Sequence, residues 1–214
     1  VPHDPGGAGM PATLFRPESD MGAGIVLVQE IFGRTEYMRR RATDLAELGY
    51  NVVLPQVFWR LGVDTIPEDS PDALQVAMGH VQQVDWDLAI SDIRTAITWL
   101  RADPESEHAV ALVGFCFGGG LAYATLQRAT GPEHADALVS YYGSALPQLV
   151  KGPIVHAASL HHFGDADAFI PLETIERIRE VVERDGAEFH LWTGANHAFD
   201  NPTPELGLHD PRAS

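Results

Sequence analysis

Short, unbroken apolar runs recur along this chain with amphipathic stretches between them, and that alternation restricts the fold more than any other feature. Gly24-Ile25-Val26-Leu27-Val28 contains no polar break, the pattern of a strand covered on both faces. Residues 50–54, 109–113, 136–142, 159–163 and 188–192 read as further strands, and residues 12–16 as a short one. The spacing of Met38, Ala42, Leu45 and Leu48 predicts a helix over 36–48 that Gly49 ends. Leu88, Ile93, Ile97 and Leu100 predict another over 85–101. Helices are also expected over 118–128 and 171–184. A short one is expected near 72–81, inside a connection (55–84) long enough to be a functional loop or lid. Strands alternating with helices imply an α/β chain with a mostly parallel sheet and helices on both faces, as one domain over residues 1–214.

Charge narrows the partners. With 30 acidic against 14 basic residues the formal charge is −16. Such a surface repels nucleic-acid phosphates and anionic lipid, so neither is expected as a partner. An anionic substrate would need a local positive group to enter. No apolar run approaches the roughly 18 residues of a membrane span, and no basic segment followed by an apolar one opens the chain. The single cysteine cannot form an internal disulfide, which fits a reducing, cytoplasmic setting. The ten histidines raise the question of a metal. His161 and His162 are adjacent on an expected strand and so face opposite sides, and no H-E-x-x-H or Cys/His ligand spacing is present. Neither metal nor cofactor is expected.

The sharpest local signal is Gly114-Phe115-Cys116-Phe117-Gly118-Gly119-Gly120, directly after the strand at 109–113. Its G-x-C-x-G form is the cysteine version of a nucleophile elbow. A nucleophile between strand and helix sits in strained backbone, and glycines two residues to either side let the chain turn without Cβ clashes. The helix N-terminus then points at the sulfur and favours the thiolate. The amide of Phe117 can donate to an oxyanion. The competing reading is a small buried cysteine at a tight helix–sheet contact.

Two later segments favour chemistry. Phe163-Gly164-Asp165-Ala166-Asp167 puts an acid at the end of one strand, and Ala195-Asn196-His197-Ala198-Phe199 puts a histidine in the loop after another. Ligands of open α/β sheets bind at these carboxyl ends. The chain order nucleophile, acid, base is that of α/β-hydrolases. Asp165 is preferred over Asp167 as the acid because it comes first after the strand, and Asp167 stays open as the alternative.

Together these residues resemble the dienelactone hydrolase (carboxymethylenebutenolidase) family. The matching motifs are Gln29-Glu30-Ile31-Phe32-Gly33, Gly114-Phe115-Cys116-Phe117-Gly118-Gly119, Tyr141-Tyr142-Gly143, Phe163-Gly164-Asp165 and Asn196-His197-Ala198-Phe199. They run in order from about residue 24 to 200. The resemblance implies an α/β-hydrolase fold and a role for Glu30 in taking the thiol proton, with the amide of Ile31 as second oxyanion donor. It also implies that Arg60 holds a substrate carboxylate, and that Tyr142 and Trp59 line the pocket. The family pattern places a second arginine shortly after the histidine, where this chain has Asn201. The family's closing helix has no counterpart in residues 202–214, which hold three prolines and no apolar periodicity.

The expected activity is cleavage of a small enol-lactone or activated ester by Cys116, His197 and Asp165 through a thioester, in a monomer or homodimer. Two rivals are an esterase or thioesterase acting on neutral substrates with the same residues, and a non-catalytic or redox-sensing protein with a reactive Cys116.

Overall fold

The computed structural model describes residues 9–18, 22–104, 106, 109–203 and 208–213. Apolar runs become strands where both faces can be covered, and the result is one seven-stranded sheet in the order β1-β3-β2-β4-β5-β6-β7. The strands are β1 (Ala12–Phe15), β2 (Gly24–Val28), β3 (Asn51–Pro55), β4 (Val110–Phe115), β5 (Ala137–Tyr141), β6 (Ala158–Gly164) and β7 (Glu188–Trp192). Only the edge strand β1 runs antiparallel, against β3; the remaining pairs are parallel. The sheet is that of the expected α/β-hydrolase class.

Among the described residues six α-helices connect the strands: α1 (Glu36–Glu47), α2 (Ala73–Val81), α3 (Trp86–Arg101), α4 (Phe117–Arg128), α5 (Leu146–Leu149) and α6 (Leu172–Arg184). Capping sets where two of them start. The Thr35 side chain accepts from the Met38 amide, and the Asp85 side chain accepts from the amides of Asp87 and Leu88. The stripe Ile90, Ile93, Ile97 and Leu100 on α3 is buried, against β2, β3 and α4. Helix α5 escaped the sequence reading because four residues are too few to show a period. Among the described residues no helix or strand follows β7. Residues 204–207 and 214, part of the stretch read as lacking the closing helix, lie outside them.

The strand order reverses between β2 and β4, which are hydrogen-bonded neighbours although β3 separates them in sequence. Chain leaves the two carboxyl ends in opposite directions there, opening the crevice in which α/β proteins bind ligands. Glu30 follows β2 and Cys116 follows β4, so topology alone delivers both to that crevice.

The two adjacent histidines of β6 do face opposite sides. His161 is fully buried beside Tyr123 of α4, ring centroids 5.9 Å apart, and neither ring nitrogen has a hydrogen-bond partner. Burial, with a smaller effect of His162, pushes its pKa down to about 4. An unfolded imidazole titrates near 6.5, so as pH falls the unfolded chain takes up this proton first. Stability is therefore full above about pH 6.5 and declines on the way to pH 4, by on the order of 3 kcal/mol from this residue. His161→Leu is expected to flatten that decline. Urea midpoints measured between pH 4 and 7.5 check it, and an unchanged slope would count against the buried neutral imidazole.

Candidate active site

The site is built on a strained turn. Cys116 joins β4 to α4 with φ 53° and ψ −115°, a conformation that costs a non-glycine residue on the order of 1–3 kcal/mol unless its surroundings impose it. They do. The Cys116 amide donates to the Tyr141 carbonyl at 3.0 Å, and the Cys116 carbonyl accepts from Gly119, Gly120 and Ser144 at 3.1–3.3 Å. A Cβ on Gly114 would lie 2.3 Å from the Gly118 carbonyl oxygen, and one on Gly118 would lie 2.3 Å from that of Val28. The glycines of the motif are thus required by close approach on both sides of the elbow. The other non-glycine residues with positive φ among those described are Tyr142 and Ala198, which also follow sheet strands at this end.

The loop after β7 brings His197 to the elbow, its Nε2 3.2 Å from Cys116 Sγ. On the far side of the ring, Nδ1 lies 2.7 Å from Asp167 Oδ2. The acid paired with the imidazole is therefore Asp167, and the preference for Asp165 is corrected. Asp165 does come first after β6, but there its Oδ1 accepts from the Gly194 amide at 2.7 Å, closing the turn after β7. Two residues on, Asp167 can turn inward; its side chain is wholly buried and its other oxygen accepts from the amides of Phe169 and Ile170 at 2.8 Å. Position along the chain does not tell which of two nearby carboxylates turns in. Burial alone would lower the His197 pKa, but the sulfur of Cys116 and the Asp167 carboxylate more than reverse this and raise it to about 10. Tyr142 and Phe169 pack on the ring, at centroid distances of 5.0 and 5.1 Å. Tyr37 on α1 donates to Asp200 at 2.5 Å and Arg41 ion-pairs with the same carboxylate at 3.1 Å, holding the histidine loop to the helix.

Glu30 lies buried beside this pair. Asn201 Nδ2 donates to Glu30 Oε1 and to Glu68 Oε1, each at 3.0 Å. Burial first, and then the neighbouring Glu68 and Cys116, push the Glu30 carboxyl well above the ordinary range. Glu68 comes from the long connection before α2 and carried no signal in the sequence. Asn201 was visible only as a departure from the family pattern.

Cys116, His197, Glu30 and Glu68 share a cavity of about 430 Å³ with Ile31, Phe32, Ser70, Pro71, Ala73, Leu74, Ala168, Phe169, Ala198 and Leu208. Phe117 begins α4, so its amide has no carbonyl one turn earlier to bind. Three expected pocket residues lie elsewhere. Arg60 ion-pairs with Asp92 on α3, its second nitrogen 3.1 Å from Asp92 Oδ1, and stacks on Trp59. Trp59 itself donates to Asp92 at 3.0 Å. The buried Asp92 carboxylate draws both side chains away from the cavity. Tyr142 is completely buried behind the His197 ring and does not reach the cavity wall. The described residues include no group of three or more His, Cys, Asp or Glu arranged to hold a metal ion, and no helix long and apolar enough to cross a membrane.

Comparison with known proteins identifies the family. The profile of the Dienelactone hydrolase family matches residues 10–214. A carboxymethylenebutenolidase of Pseudomonas putida is 35% identical over 179 residues, covering 82% of this chain and 74% of the relative. Carboxymethylenebutenolidase 1 of Cupriavidus pinatubonensis is 29% identical over 190 residues, 88% of this chain and 80% of the relative. Among solved structures, a dienelactone hydrolase-like promiscuous phosphotriesterase from metagenomic libraries shares the fold, with a TM-score of 0.71 and 23% identity over 94% of this chain and 85% of that one. The chain belongs to the dienelactone hydrolase family, carboxylic ester hydrolases on an α/β-hydrolase scaffold.

Proposed function

We propose that the protein hydrolyses small activated esters or lactones through a thioester on Cys116, with His197 as acid and base and Asp167 orienting the imidazole. The observation that carries this reading is the continuous contact from sulfur to Nε2, 3.2 Å, and from Nδ1 to the buried Asp167 carboxylate, 2.7 Å, at the wall of a cavity of about 430 Å³. A nucleophile and base in bonding reach, with the base held by a third group, is the general pattern of covalent acyl transfer.

In the first step the thiolate attacks the carbonyl carbon and a C–S bond forms. The amides of Ile31 and Phe117 receive the negative oxygen; loss of one such donor costs about 10²–10³ in rate. The C–O bond then breaks and the leaving oxygen takes the proton from His197. In the second step His197 removes a proton from water, which attacks the thioester; the C–S bond breaks and releases the acid. A leaving group that departs readily from a thiolate adduct favours enol-lactones and activated esters over amides. The resemblance gives Glu30 a part in taking the thiol proton. Here the sulfur is in hydrogen-bond contact with His197, while Glu30 is bonded to Asn201. We therefore assign the proton to His197. Burial pushes the Glu30 carboxyl up, which disfavours a second negative charge beside the sulfur.

With p-nitrophenyl acetate, Cys116→Ala is expected to abolish turnover. Quenched wild-type samples should carry one acetyl group on Cys116 by peptide mass spectrometry. Asp167→Asn should lower kcat/KM by about 10²–10⁴, the range for acid–base assistance, whereas Asp165→Asn should stay within a few-fold of wild type once matched for folding by thermal melts. Turnover surviving in Cys116→Ala would overturn the assignment of the nucleophile, and loss in Asp165→Asn alone would overturn that of the acid.

A further inference from the structure

The cavity that holds Cys116 has an unusual charge for an enzyme of carboxylated substrates. Among the described residues its wall contains no lysine or arginine; its carboxyl groups are those of Glu30 and Glu68, and its imidazole, His197, is already paired with Cys116 and Asp167. The nearby arginines are already engaged: Arg34 with Asp64, Arg41 with Asp200 and Arg60 with Asp92. Where the family pattern has a second arginine, Asn201 instead binds both Glu30 and Glu68 through one nitrogen, at 3.0 Å each. That places the two carboxyl oxygens within about 6 Å of each other, a separation at which two full charges repel strongly in a partly dry site. Burial and the neighbouring Glu68 push the Glu30 carboxyl up, so of two carboxyl groups this close the charge is disfavoured on Glu30. Thr203 reinforces this, its amide donating to Asn201 Oδ1 at 3.0 Å and its hydroxyl reaching Glu68. The rest of the wall is largely apolar, with Phe169 and Leu74 partly exposed at it.

We infer that Glu68, held beside Glu30 by Asn201, makes this cavity select uncharged acyl groups and reject those bearing a carboxylate. The inference rests on the ester-hydrolase reading of the same cavity, and it assigns Glu68 and Asn201 as specificity determinants. The net charge of −16 acts in the same direction at long range. An acyl chain enters against Leu74 and Phe169. An acyl chain ending in a carboxylate meets Glu68 in a wall whose described residues include no lysine or arginine.

Two measurements separate this inference from the reading beneath it. The first is alkylation of Cys116 by iodoacetamide and by iodoacetate, reagents that differ in charge at nearly equal size, followed by intact mass. The ratio of the two rates in the protein, divided by that for a small free thiol, is expected to be roughly tenfold or more in favour of the neutral reagent. Glu68→Gln should return it most of the way to one, and Asn201→Arg should bring it to one or reverse it. The second compares kcat/KM for p-nitrophenyl butyrate and p-nitrophenyl hemisuccinate, with the same direction and the same response to Glu68→Gln. A wild-type alkylation ratio equal to that of the free thiol, or one that Glu68→Gln leaves unchanged, overturns the charge selection. If the expected alkylation ratio is found but neither ester is turned over, charge selection by Glu68 stands and the hydrolase reading falls. If both esters are turned over without preference, the reverse holds.

Discussion

The contact between the Cys116 sulfur and the His197 imidazole depends on a backbone conformation that the cysteine would not adopt alone. At φ 53° the cysteine is held by hydrogen bonds from both directions and by glycines whose missing Cβ atoms leave room for neighbouring carbonyls. The imidazole is held by a carboxylate behind it, aromatic rings against it and a loop tied to α1 through Asp200. Strain at this end of the sheet is therefore sustained by an extensive parallel scaffold, and the scaffold's topology decides which side chains meet.

That topology was legible in the chain because each strand buried on both faces writes itself as an apolar run. β2 was located to the residue, and β3 to within one. The elbow was legible for a different reason: glycines at fixed offsets around Cys116 have few other uses. Asp167 was harder. Two acids two residues apart after β6 satisfy the same pattern, and the choice depends on whether a side chain closes a turn, as Asp165 does at Gly194, or points inward. Arg60 and Trp59 were misplaced because a third residue, the buried Asp92 on α3, binds both. No local pattern around residue 60 reports a carboxylate 32 positions away.

The long connection between β3 and α3 shows most clearly where sequence reading ends. Its length marked it as a candidate functional loop or lid, yet what it brings to the cavity, Glu68 set against Asn201, is a tertiary contact spanning 133 residues. One asparagine there reaches more than one side chain. Asn201 holds Glu30 and Glu68 to one nitrogen, and burial together with Glu68 pushes the Glu30 carboxyl up.

The account depends most on the charge state of the sulfur–imidazole pair. Nitrogen-15 NMR of ring-labelled protein reads it directly through the two nitrogens of His197. The account predicts an imidazole protonated on both nitrogens at neutral pH and titrating near 10, with a marked fall toward the ordinary histidine range in Cys116→Ala. An imidazole that titrates near 6.5 with the cysteine in place, or one that Cys116→Ala leaves unchanged, would contradict it.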